Sequence, residues 1–209
     1  ITAAPEVTEE PEEEKLYTPA ENFEYAVKDN KIVITKYVGT IENVVIPAEM
    51  NGLPVTALGE KAFYQCAGLK SVVISEGITD LGTWTFAESS LESITIPEGV
   101  TKIGDSVFYK CANLTKVDIP TSVTEIDVWA FGNSGLTEVV IPHGVTKIPV
   151  RAFNKCENLV SVIIPEGVTI IEDSAFYLCY DLNTITLPST LEKIESWAFA
   201  EAGLTEITI

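Results

Sequence analysis

The sequence predicts an α/β fold, a solenoid in which about seven short repeats stack through a shared parallel β-sheet. A string of the form Ile-Pro-x-x-Val-x-x-Ile-x-x-x-Ala-Phe recurs, and its Phe returns every 22 or 23 residues from Phe63 to Phe199. Before each turn the apolar residues alternate, as in Leu136, Val139 and Ile141, which is typical of a strand with one buried face. One such unit buries too little apolar surface to fold alone, so neighbouring units must stack.

Each position of the repeat has a physical interpretation. The proline, for example Pro97, lacks an N–H group and ends the strand, and Gly99 after it favours a turn. The Val-Thr-x-Ile segment that follows predicts a second, shorter strand. We then expect a short turn of helix around Ala-Phe, with the Phe filling the core.

The chain divides into three predicted segments. Residues 1–20 are rich in Glu, Pro and Thr and predict an acidic linker, with an acidic binding tail as the alternative. Residues 21–38 alternate on both sides of Lys28–Lys31 and predict a β-hairpin that caps the first repeat. Residues 39–209 form the predicted solenoid, with an insertion around Met50–Leu53.

The last repeat stops within a predicted strand, at Glu206–Ile209. Met50 is the only methionine, so residue 1 is not a translation start and we expect a processed product or a fragment. Because the last predicted strand is bare, we also expect the solenoid to be truncated at its C-terminus. The bare edge of the final strand is expected to contact missing repeats or another chain.

The four cysteines all lie three residues after the Phe of their repeat. Their spacings follow the repeat period and do not match metal-ligand motifs, so we predict small buried thiols in equivalent core positions. A disulfide between the two cysteines of neighbouring repeats is the alternative. The cysteines are Cys66, Cys111, Cys156 and Cys179.

The three tryptophans occur in the repeats that lack cysteine and are one residue shorter between Phe and Leu. Trp84, Trp129 and Trp197 each precede their Phe by two residues. Our hypothesis is that the indole covers the gap left by the shorter loop on the convex side. The alternative is a row of exposed aromatic rings that stack on sugars.

The full unit, Ile-Pro-x-Gly-Val-Thr-x-Ile-x-x-x-Ala-Phe-x-x-Cys-x-x-Leu-x-x-Val, resembles the leucine-rich repeat of BspA-type bacterial surface proteins over about residues 39–209. The resemblance implies a leucine-rich-repeat solenoid with its parallel sheet on the concave face. It also implies a secreted or surface-anchored bacterial protein associated with adhesion. The family has no catalytic motif to transfer to this chain.

The candidate ligand-binding residues flank the buried middle residue of each strand and so point outward on the concave face. Among them Val73, Val140 and Ile163 predict exposed apolar groups rimmed by hydroxyl side chains, which suits protein binding. The competing interpretation is that β-branched residues simply favour strands. The candidates are Val73, Thr95, Lys116, Asp118, Glu138, Val140, Ser161, Ile163, Thr184 and Thr186.

Composition excludes several classes of function. The formal net charge of −18 disfavours nucleic acid and anionic membranes as partners, and no apolar run is long enough to insert into a membrane. The single histidine, His143, lies in a turn, and no metal, cofactor or catalytic motif is present.

We therefore predict a non-enzymatic protein-binding or adhesion module without a cofactor, located outside the cell or anchored at the bacterial surface. Its expected partner is an unidentified host or microbial surface protein. A structural spacer without its own ligand and a carbohydrate-binding module are the alternatives.

Overall fold

The computed structural model describes residues 16–208, so most of the predicted acidic linker and the last residue lie outside the described part. Within that part the chain forms one short 3-10 helix, Ala20–Asn22, and seventeen strands. Numbered β1 to β17 in chain order, the strands are Phe23–Lys28, Lys31–Tyr37, Asn43–Val45, Glu49–Met50, Leu53–Leu58, Ser71–Val73, Asp80–Leu81, Ser93–Thr95, Lys102–Ile103, Glu125–Ile126, Glu138–Val140, Lys147–Ile148, Ser161–Ile163, Ile170–Ile171, Thr184–Thr186, Lys193–Ile194 and Glu206–Thr208.

The three-residue strands stack in parallel, one from each repeat except that of Lys116–Asp118, and we call this assembly the main sheet. It has two parts, β3-β6-β8 and β11-β13-β15-β17. Equivalent residues pair in register, so that Val139, Val162 and Ile185 lie side by side and are buried. The predicted parallel sheet is confirmed, with the middle residue of each strand buried except in β17, where Ile207 is 48% exposed.

Five of the seven two-residue strands form a second parallel sheet on another side of the repeats. They pair as β9-β10 and β12-β14-β16, in the segments where the sequence predicts a shorter strand. Ile103, Ile126, Ile148 and Ile171 of this sheet are buried, whereas Ile170 is half-buried and Ile194, in the last strand of the sheet, is 45% exposed. The core therefore lies between two parallel ladders and is filled from both.

The predicted N-terminal hairpin is present. β1 and β2 pair antiparallel around Asp29 and Asn30, whose φ angles of 50° and 57° suit a tight type I′ turn. β2 continues in parallel with β5, and Tyr37 stacks on Phe63 with a centroid distance of 5.2 Å. The hairpin thus covers the apolar end of the first repeat.

The insertion in the first repeat also forms a hairpin. β4 and β5 pair antiparallel across a turn at Asn51 and Gly52, both with positive φ. β5 then pairs in parallel with β2 on one side and β7 on the other. The insertion therefore joins the cap to the second sheet.

A ladder of stacked phenylalanines runs through the centre of the solenoid. Neighbouring rings lie 5.1–5.7 Å apart between centroids. Six of the rings are fully buried, and Phe199 is partly buried. The ladder comprises Phe63, Phe86, Phe108, Phe131, Phe153, Phe176 and Phe199.

The expectation of a helical turn around Ala-Phe is wrong, because this segment is a series of tight turns. The residues two before and two after each Phe are left-handed, for example Ser106 and Lys110 with φ angles of 55° and 57°. This geometry directs the backbone N–H of each such Phe toward the next repeat. The Phe108 N–H, for example, donates to the Ala130 carbonyl at 2.8 Å. A helical turn would direct these N–H groups within the repeat and lose the bonds between repeats.

The predicted cysteine positions are core positions. Cys111, Cys156 and Cys179 are buried, and each Sγ donates to a Phe carbonyl in a preceding repeat at 3.1 Å. Cys66, in the first repeat, is partly buried. All four cysteines are free thiols, so the alternative disulfide between Cys156 and Cys179 is absent from the structure.

Two of the three short repeats place serine in the cysteine position and the third places Ala202 there, which the sequence interpretation missed. Ser134 lies 3.4 Å from Cys156 between Oγ and Sγ, and Ser89 lies 3.7 Å from Cys111. Serine and cysteine therefore share one column of small, hydrogen-bonding side chains. Although the short repeats have one residue fewer between Phe and Leu, a small side chain still occupies the position three residues after each Phe.

The tryptophans lie outside the core, on a surface that we call the loop face. It is formed by the side chains two before and one after each Phe of the ladder. The Trp129 ring lies against Gly132, since a Cβ placed on that glycine would be 2.5 Å from Trp129 Cε3. The long repeats carry a larger residue at this position, such as Tyr109. The indole thus fills space over the short loop, in line with the first hypothesis for Trp129.

Candidate functional site

The main sheet directs the ten candidate residues to its outward side. In β11, for example, Glu138 and Val140 are exposed on both sides of the buried Val139. Thr95, Lys116, Asp118, Ile163, Thr184 and Thr186 are also exposed, whereas Val73 and Ser161 are half-buried.

The centre of this surface is an apolar pair. Val140 and Ile163 are direct neighbours on β11 and β13, and their side chains are 58% and 60% exposed. Val73 lies on β6 in the other part of the sheet and is half-buried. The apolar group is therefore two residues wide, and the expectation that Val73 is exposed with them is wrong.

An ion pair lies on one side of the apolar pair. Lys116 Nζ and Asp118 Oδ1 are 3.3 Å apart on the same face of one repeat, and both side chains are largely exposed. Exposed pairs of this kind add little to stability, commonly about 0–1 kcal/mol. Both charges therefore stay available to a partner.

The main sheet is interrupted at this ion pair. Between Thr95 and Asp118 a single isolated bridge is formed, and within residues 16–208 no strand pairing joins Lys116–Asp118 to β11. The neighbouring backbone bond, from the Thr137 N–H to the Thr115 carbonyl at 3.0 Å, precedes the strand. The two repeats are thus held together at the start of the strand and separate beyond it.

Asp118 gives a physical reason for the interruption. Aspartate is disfavoured in strands because its short carboxylate competes for local backbone donors. Equivalent positions in the paired strands carry Thr95, Val140, Ile163 and Thr186, which are all β-branched. Asp118, a predicted member of the candidate surface, thus also weakens the strand pairing of its own repeat with β11.

The interruption opens a cleft of about 240 Å³ next to the apolar pair. Its lining includes Val117 and Val139, whose side chains are buried. Four of the ten candidates line it as well, namely Lys116, Asp118, Glu138 and Val140. The ladder positions that are unpaired here add backbone donors and acceptors to the site.

His143 is exposed in the turn after Pro142, where the sequence placed it. Across residues 16–208 no cluster of three potential His, Cys, Asp or Glu metal ligands occurs. In the same range no helix is long and apolar enough to cross a membrane.

Comparison with known families matches the chain to the BspA type leucine-rich repeat region, in six copies over residues 34–160 and 146–209. The chain belongs to the BspA-type leucine-rich repeat family. This membership confirms the resemblance seen in the repeat unit, and the solenoid is the fold of the family.

Solved structures of bacterial leucine-rich repeat proteins are similar to this chain. The T. pallidum leucine-rich repeat protein is 33% identical with a TM-score of 0.81, and the match covers 86% of each chain. A Bacteroides ovatus leucine-rich repeat protein is 28% identical with a TM-score of 0.82, over 90% of this chain and 52% of that one. This BspA-type chain thus spans about half the length of the B. ovatus protein.

A third relative shares the fold alone. The pneumococcal vaccine antigen PcpA is 18% identical with a TM-score of 0.57, over 92% of this chain and 49% of that one. A comparison with curated proteins gives no match.

The cleft beside Asp118 was not predicted from the sequence, although an aspartate in place of a β-branched residue is a signal for it.

Proposed function

We propose that this BspA-type chain is a non-enzymatic protein-binding module of a bacterial cell-surface or secreted protein, acting in adhesion. The observation that carries the proposal is the exposed Val140–Ile163 pair beside the Asp118 cleft on the main sheet. Membership of the BspA-type leucine-rich repeat family supports the location.

The site has the anatomy of a binding centre. A small apolar group surrounded by polar side chains resembles the centre of known interfaces, in which a few residues supply most of the affinity. The sheet that carries it is fixed by hydrogen bonds on both sides of β13, so little conformational entropy is lost on binding. The cleft next to Val140 accepts a protruding side chain of the partner.

The charge of the chain favours a class of partner. A net charge of −18 attracts basic surfaces and repels acidic ones. Glu138 and Asp118 place acidic groups beside the apolar pair. We therefore expect a partner whose contact surface combines an apolar side chain with lysine or arginine.

The test is binding of the purified chain to a panel of host matrix and microbial surface proteins, for the parent and for Ile163→Glu. The side chain of Ile163 is 60% exposed, so the substitution leaves the core intact. Val27→Glu is the matched control, because Val27 is 55% exposed on the hairpin cap.

The proposal expects the parent and Val27→Glu to bind one member of the panel equally, and Ile163→Glu to bind at least about tenfold more weakly. Equal binding by all three proteins contradicts the assignment of the site. No binding by the parent favours the structural-spacer alternative.

A further inference from the structure

The loop face carries a second feature, a surface row of aromatic rings. Three of the four long repeats place a tyrosine after the ladder Phe, and the short repeats place a tryptophan two residues before it. Where the two kinds alternate, the rings interlock edge to face. Trp84 lies 6.2 Å from Tyr64 and 5.4 Å from Tyr109, and Tyr109 lies 5.5 Å from Trp129.

The alternation breaks at two consecutive long repeats, those of Phe153 and Phe176. The first of them has Asn154 in the tyrosine position, and Arg151 stacks its guanidinium on Trp129 at 5.3 Å from the ring centroid. Tyr177 therefore follows a repeat without an aromatic ring on this face. The interlocked row stops at Arg151 and resumes at Tyr177.

An open groove of about 390 Å³ occupies the break. Tyr177 and Trp197 form one wall, with ring planes at 88° and centroids 6.2 Å apart. The Trp197 side chain is 65% exposed, unlike the half-buried Trp84 and Trp129. The groove is lined by Arg151, Asp173, Ser174, Tyr177 and Trp197.

The polar groups of the groove are positioned by the fold. Ser174 is buried and donates from Oγ to the Asp173 carboxylate at 2.9 Å. The backbone N–H of Arg151 donates to the backbone carbonyl of Asp173 at 3.1 Å, which joins the two repeats. An acceptor carboxylate and a guanidinium donor thus line the same groove as an exposed aromatic surface.

We propose that this groove binds a pyranose unit of a glycan. The C–H face of a sugar ring packs on the electron-rich face of an indole or phenol, while its hydroxyls need donors and acceptors at the edge. Asp173 accepts from sugar hydroxyls and Arg151 donates to them. The guanidinium disfavours an ammonium ligand, and the net charge of −18 disfavours a phosphorylated one.

This inference goes beyond the proposed protein-binding function, because the groove lies on the loop face and shares no residue with the main-sheet site. The test uses the complete chain on an array of neutral hexose, N-acetylhexosamine and uronic acid oligosaccharides. The best oligosaccharide is then titrated against the parent and each variant by isothermal titration calorimetry, because Trp197→Ala would remove the fluorescent side chain of the groove.

Trp197→Ala and Asp173→Asn are the test variants, and Trp84→Ala is the matched control from the interlocked part of the row. We expect each test variant to lower the affinity at least about tenfold and the control to leave it within about twofold. Thermal melts followed by circular dichroism check that the variants are folded.

Two results overturn the proposal. One is the absence of binding to every glycan on the array. The other is binding that survives unchanged in folded Trp197→Ala and Asp173→Asn. Neither result depends on the protein partner of the main sheet, so failure of one proposal is distinguishable from failure of the other.

Discussion

At the scale of single residues, the column of cysteine and serine shows how a short repeat keeps its core. Both side chains are small and hydrogen-bond to groups of the neighbouring repeat. The four thiols look like a functional set by number alone. Their contacts with Phe carbonyls instead give the three buried ones a structural role.

The buried thiols make stability depend on pH in the alkaline range. Burial raises the pKa of Cys156 from 9.0 to about 11, because the thiolate loses its hydration. Below pH 9 the Cys156 thiol keeps its proton in both the folded and the unfolded protein. As the pH rises from 9 to 11, the unfolded chain loses this proton first, so the unfolding free energy falls. For Cys156 the loss amounts to at most about 3 kcal/mol.

Cys156→Ser tests this pH dependence, because Ser134 shows that the column accepts serine. Urea unfolding at pH 8 and pH 10.5 should show a smaller loss of stability for the variant than for the parent. Identical losses for the two proteins would refute the contribution of this thiol.

The tryptophans predict a second contrast between equivalent residues. Trp129 is half-buried between Tyr109 and Arg151, whereas Trp197 is 65% exposed. We expect Trp129→Ala to lower the unfolding free energy by about 2 kcal/mol and Trp197→Ala by less than about 1 kcal/mol. Chemical denaturation measures both free energies. Equal losses would show that the contacts of Trp129 with Tyr109 and Arg151 do not stabilise the protein.

At the scale of elements, the regular strands were predictable and the loops were not. The alternation of Leu136, Val139 and Ile141 determines which face is buried, since a strand has a period of two. The Ala-Phe turns place residues such as Trp129 and Arg151 in the left-handed region, with φ angles of 57° and 56°. These residue types give no sequence signal for that conformation, which the hydrogen bonds between repeats impose.

The interruption of the main sheet makes a prediction about strand pairing. If Asp118 weakens the pairing of its repeat, Asp118→Thr should restore a β-branched residue and raise the unfolding free energy by about 0.5–1 kcal/mol. Hydrogen exchange should slow at the amides of residues 117–119 and 138–140. Thr95→Ser is the control for a change at the equivalent position of a paired strand.

A destabilised Asp118→Thr variant with unchanged exchange at these amides would contradict the explanation. The cleft would then need another cause, such as the loop that precedes Lys116. A stabilised variant with a closed cleft would also allow the role of the cleft in binding to be measured separately.

At the scale of the whole molecule, stability comes from contacts between neighbouring repeats. Two parallel ladders, the Phe ladder and the hydrogen bonds of the Ala-Phe turns all run along the stack. Such a solenoid is a rigid platform on which each face can change without altering the core. The sequence predicts the platform because the same core pattern is repeated along the chain.

Both candidate binding regions lie where the repetition fails. The cleft follows one aspartate in a column of β-branched residues, and the groove follows two consecutive long repeats at Phe153 and Phe176. The ten candidate positions follow from the alternation. The cleft and the groove do not, because each depends on side chains from separate repeats that meet only after stacking.

The proposal that the main sheet binds a protein partner is tested by an alanine scan of the ten candidate residues. Binding of each variant is measured against the strongest protein ligand of the panel. Val27→Ala serves as the control outside the main sheet. We predict losses of about tenfold or more at Val140 and Ile163, smaller losses at Asp118 and Glu138, and binding within about twofold for the remaining positions. Unchanged affinity at Val140 and Ile163, with losses elsewhere on the chain, would contradict the assignment of the main sheet as the binding surface.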